Sequence, residues 1–220
     1  ILNAAGESWT FRTDGFEATN FGMLSGNPDW QKESTMKIID AAVKIGAKTV
    51  VLPECGHAYM ALRWMGANMY GKPLPFKVLH ISEYMADALN TGKIKVKKVD
   101  KSVTYHDPCQ VSRRGGATQA ARDVIKHLGV DFREMEYGGD YNWCCGGGGG
   151  VVTIKRADPL RHRVFKLKMD QVEKTEADEL LSSCANCRQS FDDSQEHFNW
   201  DYTMGSLMEM VAENLEEGKQ

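Results

Sequence analysis

The sequence predicts an α/β protein of two pseudo-symmetric Rossmann-like βα lobes with mostly parallel sheets, carrying its site at the carboxyl edge of the second lobe. Three observations lead there. Short β-branched runs alternate with amphipathic helical patterns. The order of motifs in the first part of the chain returns, weakly, in the second. Three groups of cysteines each follow a predicted strand.

Taken in order, "TMKIIDAAVKIG" (35–46) has helical apolar spacing and "TVVLP" (49–53) reads as a buried strand, followed by "ECGHAY". A helix is predicted around "FKVLHISEYMADAL" (76–89), then strands over "KIKVKKV" and "SVTYHDPC". "TQAARDVIKHLG" (118–129) reads as a helix stopped by Gly129. "DFREMEY" (131–137) is expected as a strand running into a glycine loop, and "PLRHRVFKLKMDQVEKT" (159–175) as a long helix. "DELLSSC" (178–184) closes the strands and "GSLMEMVAENL" (205–215) the helices.

In the repeat, "TVVLPECGHAY" precedes "VLHISEYMADAL" much as "DELLSSCANCR" precedes "GSLMEMVAENL". Cys55 then matches Cys184, and Ala58 stands for Cys187. Further back, Asn20 and Phe21 replace the pair Cys144 and Cys145. The first copy lacks a counterpart of "SVTYHDPCQVSRRGG", so Ile1 is not expected to be a natural start.

A formal net charge of −3 gives no reason to expect a nucleic-acid partner. No apolar run reaches the roughly 18 residues of a membrane span, and no signal-peptide pattern opens the chain. Six cysteines in 220 residues are too sparse for a secreted disulfide scaffold. Clustered as they are, they point to metal or redox chemistry in a reducing, cytoplasmic setting.

Five of the six lie in the second copy: Cys109, Cys144 with Cys145, and Cys184 with Cys187. Scattered core thiols would not account for a doublet, a CxxC and a glycine run together. Four thiolates suit tetrahedral zinc, but a fifth is left over, and adjacent cysteines reach one ion only with strain. A sulfur-bridged iron assembly lets Cys144 and Cys145 bind different irons. Gly146 to Gly150 can then bring bare main chain against anionic sulfur, with Gly146 and Gly147 nearest. Iron, sulfide and zinc analysis separates the two metals.

"HDPC" (106–109), "WCCGG" (143–147) and "SSCANC" (182–187) together resemble the cysteine-rich CCG domain of the family formed by DsrK and the D-type subunits of heterodisulfide reductases. The resemblance implies that Cys109, Cys144, Cys145, Cys184 and Cys187 hold one noncubane [4Fe-4S] cluster. It implies a degenerate first CCG half over residues 1–90 and a cluster-bearing second half over 91–220. "AGESWTFRTDGFEATNFGMLSG" and "PECGHAYMALRW" are similar to the DsrK branch, whose complexes are of the DsrMKJOP type. That branch implies membrane redox subunits and a DsrC-like sulfur carrier as partners, at the cytoplasmic face of the membrane. The family's "CxxCxxCxxxCP" runs are missing from these residues, so further cubane [4Fe-4S] clusters are expected in another region or subunit. The activity implied is reduction or formation of a disulfide or trisulfide. The alternatives are an electron-transfer module of a related redox complex, of heterodisulfide reductase or glycolate and lactate oxidase type, and a structural zinc protein.

Cys55 and His57 are candidates for thiol exchange and proton donation beside that site. The rival reading is a vestigial thiol and a hydrogen-bonded loop histidine. His106 is expected as a structural hydrogen-bonder. Arg113, Arg114, Lys155, Arg156, Arg161 and Arg163 read as a solvated basic face or a dock for an acidic surface.

Overall fold

The computed structural model describes residues 1–15 and 19–216, without the side chains of 19–21, so the comparison of Asn20 and Phe21 with the cysteine pair lies outside the described side chains. The α/β expectation is met. Strands β1 (Thr49–Leu52) and β2 (Lys77–His80) pair in parallel. Strands β3 (Ser102–His106), β4 (Asp131–Phe132), β5 (Glu179–Ser182) and β6 (Thr203–Ser206) form a second parallel sheet in the order β4-β3-β5-β6. Parallel neighbours require crossovers, and helices supply them.

Helix α1 spans Thr19–Ser25 and α2 spans Pro28–Lys44, with Pro28 in its first turn and the Asn27 side chain accepting from the Trp30 amide. That capped start lies two turns before the predicted one, because residues 28–34 are mostly polar, with Trp30 alone among them large and apolar, and carry no apolar stripe. Helix α3 (Gly56–Met60) runs through a π turn at Ala61–Met65 into α4 (Gly66–Tyr70). The helix expected over 76–89 divides: Lys77–His80 is strand β2, and α5 occupies Ile81–Asn90. His80 ends the strand and caps the helix, its ring nitrogen accepting from the Ser82 amide while the Glu83 carboxylate accepts from the His80 N–H.

Helix α6 (Thr118–Leu128) ends on Gly129 in the left-handed conformation, as the stop signal predicted. The "KIKVKKV" strand does not form; its one pairing is an antiparallel bridge from Val96 to Leu215. "DFREMEY" contributes only β4, and chain 133–147 becomes the loop that carries the cysteine doublet. Helix α7 covers Asp158–Glu173 and α8 covers Ala185–Phe198. Strand β6 (Thr203–Ser206) takes Gly205 and Ser206 from the front of the expected last helix, leaving α9 as Leu207–Glu213, capped by Ser206. No helix among the described residues is long and apolar enough to cross a membrane.

The apolar core has three parts. Ile39, Leu52, Tyr59 and Val78 pack α2 and α3 on the small sheet. Met85, Val103, Ile125, Leu181 and Val211 join α5, α6 and α9 over the large one, with Val51 and Leu79 of the small sheet against them. Phe165, Val172, Leu180 and Phe191 fill the space between β5, α7 and α8, and Cys145, Cys184 and Cys187 belong to that same cluster. The inner part of the cysteine site is therefore an extension of the core, while Cys109 and Cys144 lie partly exposed at its margin.

A candidate metal centre at the carboxyl edge of the large sheet

Because β4, β3 and β5 are neighbours and parallel, their carboxyl ends open side by side. Cys109 lies three residues beyond β3, the doublet follows the loop after β4, and Cys184 follows β5 as the N-cap of α8, placing Cys187 in its first turn. Topology thus collects all five sulfurs.

The sulfurs form one unbroken file. Cys109 contacts Cys144, Cys144 contacts Cys145, Cys145 contacts Cys187, and Cys187 contacts Cys184. Cys144 accepts from the Cys109 and Cys145 thiols and from the Gly146 amide, which together hold it far below the usual thiol range. Cys109, donating to Cys144 and partly buried, is pushed far up. The Cys145 thiol is pushed up to about 12, chiefly by its bond to Cys144. Cys184 is lowered to about 7 by the Cys187 thiol, helped by the amides of Cys187, Gly56 and Asn186. Cys187, buried and donating to Cys145 and Cys184, is pushed well up. Cys144 and Cys184 are thus the two positions that favour the thiolate a metal binds.

The glycines show why bare backbone is needed. Gly146 donates its N–H to Cys144 Sγ at 3.3 Å and Gly147 donates to Cys145 Sγ at 3.4 Å. Gly146 has φ +84°, and an added Cβ would stand 3.0 Å from the Arg161 carbonyl. At Gly147 a Cβ would come within 2.6 Å of Ser190 Cβ. Both positions combine an amide on sulfur with no room for a side chain. Helix α8 holds the loop from outside: Ser190 Oγ donates to the Cys145 carbonyl at 3.0 Å, and Asn186 Nδ2 to the Gly147 carbonyl at 2.9 Å.

Asp107 ties the first cysteine to the doublet. Its buried carboxylate accepts both Arg122 terminal nitrogens, at 2.9 and 2.8 Å, and the Gly139 amide at 2.7 Å, while its carbonyl accepts from Asn142 Nδ2. Arg122 also binds Glu134. Removing one partner of such a buried pair costs about 3–5 kcal/mol, so the loop between β4 and Cys144 is rigidly set.

His106 departs from its expected role. It is 1% exposed, neither ring nitrogen has a hydrogen-bond partner, and its ring meets Phe191 edge-on at 4.9 Å. One ring nitrogen lies with the Cys145 and Cys187 sulfurs in a group whose atoms are all within 4.8 Å of one another. Burial pushes its pKa far down, so it is a neutral ring facing the sulfurs. Lys168 is the residue the pattern hid: it sits in the apolar stripe Phe165, Lys168, Met169, Val172 and is 2% exposed. Its Nζ donates to Gln171 Oε1 at 2.6 Å. Burial lowers it to about 8, against the opposing pull of nearby Cys145 and Asp107. A cation inside a helix stripe was the available signal.

The basic residues do not form one docking face. Arg161 is 2% exposed and bound to Asp158 and Asp193, and Arg113 donates to the Asn142 carbonyl. A concavity of about 570 Å³ on the outer side of α7 and α8, lined by His162, Arg163, Lys166 and His197, contains no cysteine. Cys55 is the N-cap of α3 at the end of β1, and His57 is buried in the first turn of that helix. Their turn packs on the segment after Cys109: a Cβ on Gly56 would lie 2.8 Å from Gln110 Cβ.

Residues 103–192 match the family model of the cysteine-rich CCG domain. The chain is 35% identical over 190 residues to the D-type subunit of dihydromethanophenazine:CoB–CoM heterodisulfide reductase from Methanosarcina barkeri, an alignment covering 85% of this chain and 46% of that one. The corresponding Methanosarcina mazei protein is 36% identical with the same coverage. An Hdr-like menaquinol oxidoreductase iron-sulfur subunit 2 of Archaeoglobus fulgidus is 34% identical over 172 residues, covering 74% of this chain and 31% of that subunit. The chain spans under half the length of these relatives.

Proposed function

As a chain that belongs with the D-type subunits of heterodisulfide reductases through its CCG domain, this protein is, we propose, the cluster-bearing part of an iron-sulfur oxidoreductase subunit that reduces or forms a disulfide or trisulfide. Cys109, Cys144, Cys145, Cys184 and Cys187 would hold a noncubane [4Fe-4S] cluster, with Gly146 and Gly147 donating to its ligands. The observation that carries the reading is the single file of five sulfurs, more than one tetrahedral ion takes and enough for several bridged irons.

When bound, such a cluster supplies single electrons and an iron that accepts a thiolate sulfur. The chain's own residues do the rest. The apolar wall of Phe165, Phe191 and Leu180 shields the Cys145, Cys184 and Cys187 sulfurs from water. The amides of Gly146, Gly147 and Gly56 and the buried Lys168 favour negative charge there. Cys55 and His57 enter the proposal as thiol-exchange partner and proton donor, supported by the packing of their turn on Gln110 and Val111.

The finer reading places the chain in the DsrK branch, with a DsrC-like carrier as substrate, DsrMKJOP-type membrane subunits as electron partners and cubane clusters elsewhere. The two-half division, 1–90 and 91–220, belongs to the same proposal. Anaerobic purification followed by metal and sulfide analysis tests it; about four irons and four sulfides per chain are expected. The His106, Cys145 and Cys187 group favours one rival, a zinc site; zinc without sulfide would replace the redox reading. A paramagnetic signal that changes on adding a thiol substrate separates a reductase from a pure electron carrier.

A further inference from the structure

The turn between β1 and α3, which carries Cys55, is built into the five-cysteine site at the other sheet. The Glu54 carbonyl accepts from the Ala185 amide at 3.0 Å, at the start of α8. Two residues on, the Gly56 amide donates to the Cys184 sulfur. Gly56 is also pressed onto the chain after Cys109, where a Cβ would meet Gln110 Cβ at 2.8 Å and Val111 Cγ2 at 3.0 Å. One short turn therefore touches two of the three cysteine-bearing segments.

What fixes that turn is the Glu54 side chain. It is 8% exposed, accepts from Ser206 Oγ at 2.6 Å, and pairs with Arg188 at 2.6 Å. Ser206 is the N-cap of α9 and Arg188 directly follows Cys187, so both anchors belong to the segment β5-α8-β6-α9. Glu54 holds φ +40°, a left-handed conformation that is unfavourable for a residue with a Cβ. The three bonds hold it there. We infer that Glu54 is a positioning residue for the cysteine site, holding the Gly56 amide on the Cys184 sulfur and thereby setting the reduction potential of the group the cysteines bind. An N–H donor on a ligand sulfur favours the more negative, reduced state, so its loss lowers the potential.

This inference rests on the iron-sulfur reading above, and the experiment separates the two. The midpoint potential of the anaerobically purified protein is measured by redox titration with paramagnetic resonance, alongside iron and sulfide content, for wild type, Glu54→Gln and Glu54→Ala. Glutamine keeps the side chain's length and an acceptor oxygen but removes the charge, whereas alanine removes both anchoring contacts. Positioning predicts a midpoint for Glu54→Ala more negative than for Glu54→Gln, at equal iron content. Coincident midpoints would reduce Glu54 to a charge and overturn the inference while leaving the cluster in place. Wild-type protein without iron and sulfide would instead overturn the underlying reading. Should Glu54→Ala not retain iron, Ser206→Ala, which removes one anchor, takes its place: a midpoint equal to wild type overturns the inference, and a more negative one supports it.

Discussion

The segment β1-α3-β2-α5 and the segment β5-α8-β6-α9 have the same order, the same parallel pairing and the same kind of joints. A cysteine occupies the N-cap position of the first helix in each, Cys55 and Cys184. A polar side chain at a strand end caps the second, His80 and Ser206. Even the glycine that follows the doublet has a counterpart. A Cβ on Gly146 would press on Arg161 at the start of α7, and one on Gly22 would press on Gln31 at the start of α2. What differs is chemistry: one segment presents a CxxC toward a doublet and a further cysteine, the other a single thiol with Ala58 in the place of the second. One backbone plan thus carries two different contents, and in the first segment its turn serves as a wall for the neighbouring site.

The largest break in this comparison is at the cysteines in the N-cap positions. Cys184→Ala is expected to lose most of the bound iron and sulfide, whereas Cys55→Ala keeps both at the wild-type level, as read by iron and sulfide assays on anaerobic protein. Equal losses would make Cys55 a ligand-site residue and erase the asymmetry.

Next are the second caps, which differ in titration. Burial pulls the His80 imidazole down to about 4. An unfolded chain takes up that proton near pH 6.5 and the folded chain does not until about 4, so stability is full above 6.5 and falls as the pH drops toward 4. Complete passage through that window costs about 3 kcal/mol. In urea unfolding, His80→Ser, which imports the cap used by α9, is expected to flatten the loss between pH 7 and 5.

The paired glycines follow. Gly22→Ala sets a Cβ 2.1 Å from the Gln31 amide nitrogen, and Gly146→Ala combines a 3.0 Å approach with φ +84°. Each is expected to cost about 1–3 kcal/mol of stability. Only Gly146→Ala is expected to disturb iron content as well. The smallest effect is at the strand starts. Asp178 accepts from the Ser102 hydroxyl and amide, which lower its pKa. Its contribution is present above the ordinary carboxylate value and lost as the pH falls below it. Asp178→Asn is expected to remove that acid dependence by losing the contribution at pH 7, with little change at acid pH where the carboxylate is already protonated.

Much of the site was legible because its parts are local: a strand, then a cysteine, three times over. Parallel strands bring such ends together without any further signal. The short strands were not legible. Thr203–Ser206 is partly exposed on an edge and its last two residues read as the front of a helix, and "VLH" of β2 is continuous with the helix it enters. Helix α8 gave no periodic signal because its exposed side is dense in Asp, Gln and Glu. Glu54, His106 and Lys168 were obscure for a different reason. Their importance lies in partners far along the chain, Ser206 and Arg188 for the first and the cysteine sulfurs near the other two.

Five is an odd number. Sulfurs already in contact along a single file are primed for oxidation to disulfides once oxygen reaches them without metal in place. Two bridges can then close at most, leaving one thiol stranded, and a reductant must reopen both before the pocket can be filled. The arrangement therefore binds the order of events in the cell: metal delivery has to come before air, or be preceded by repair.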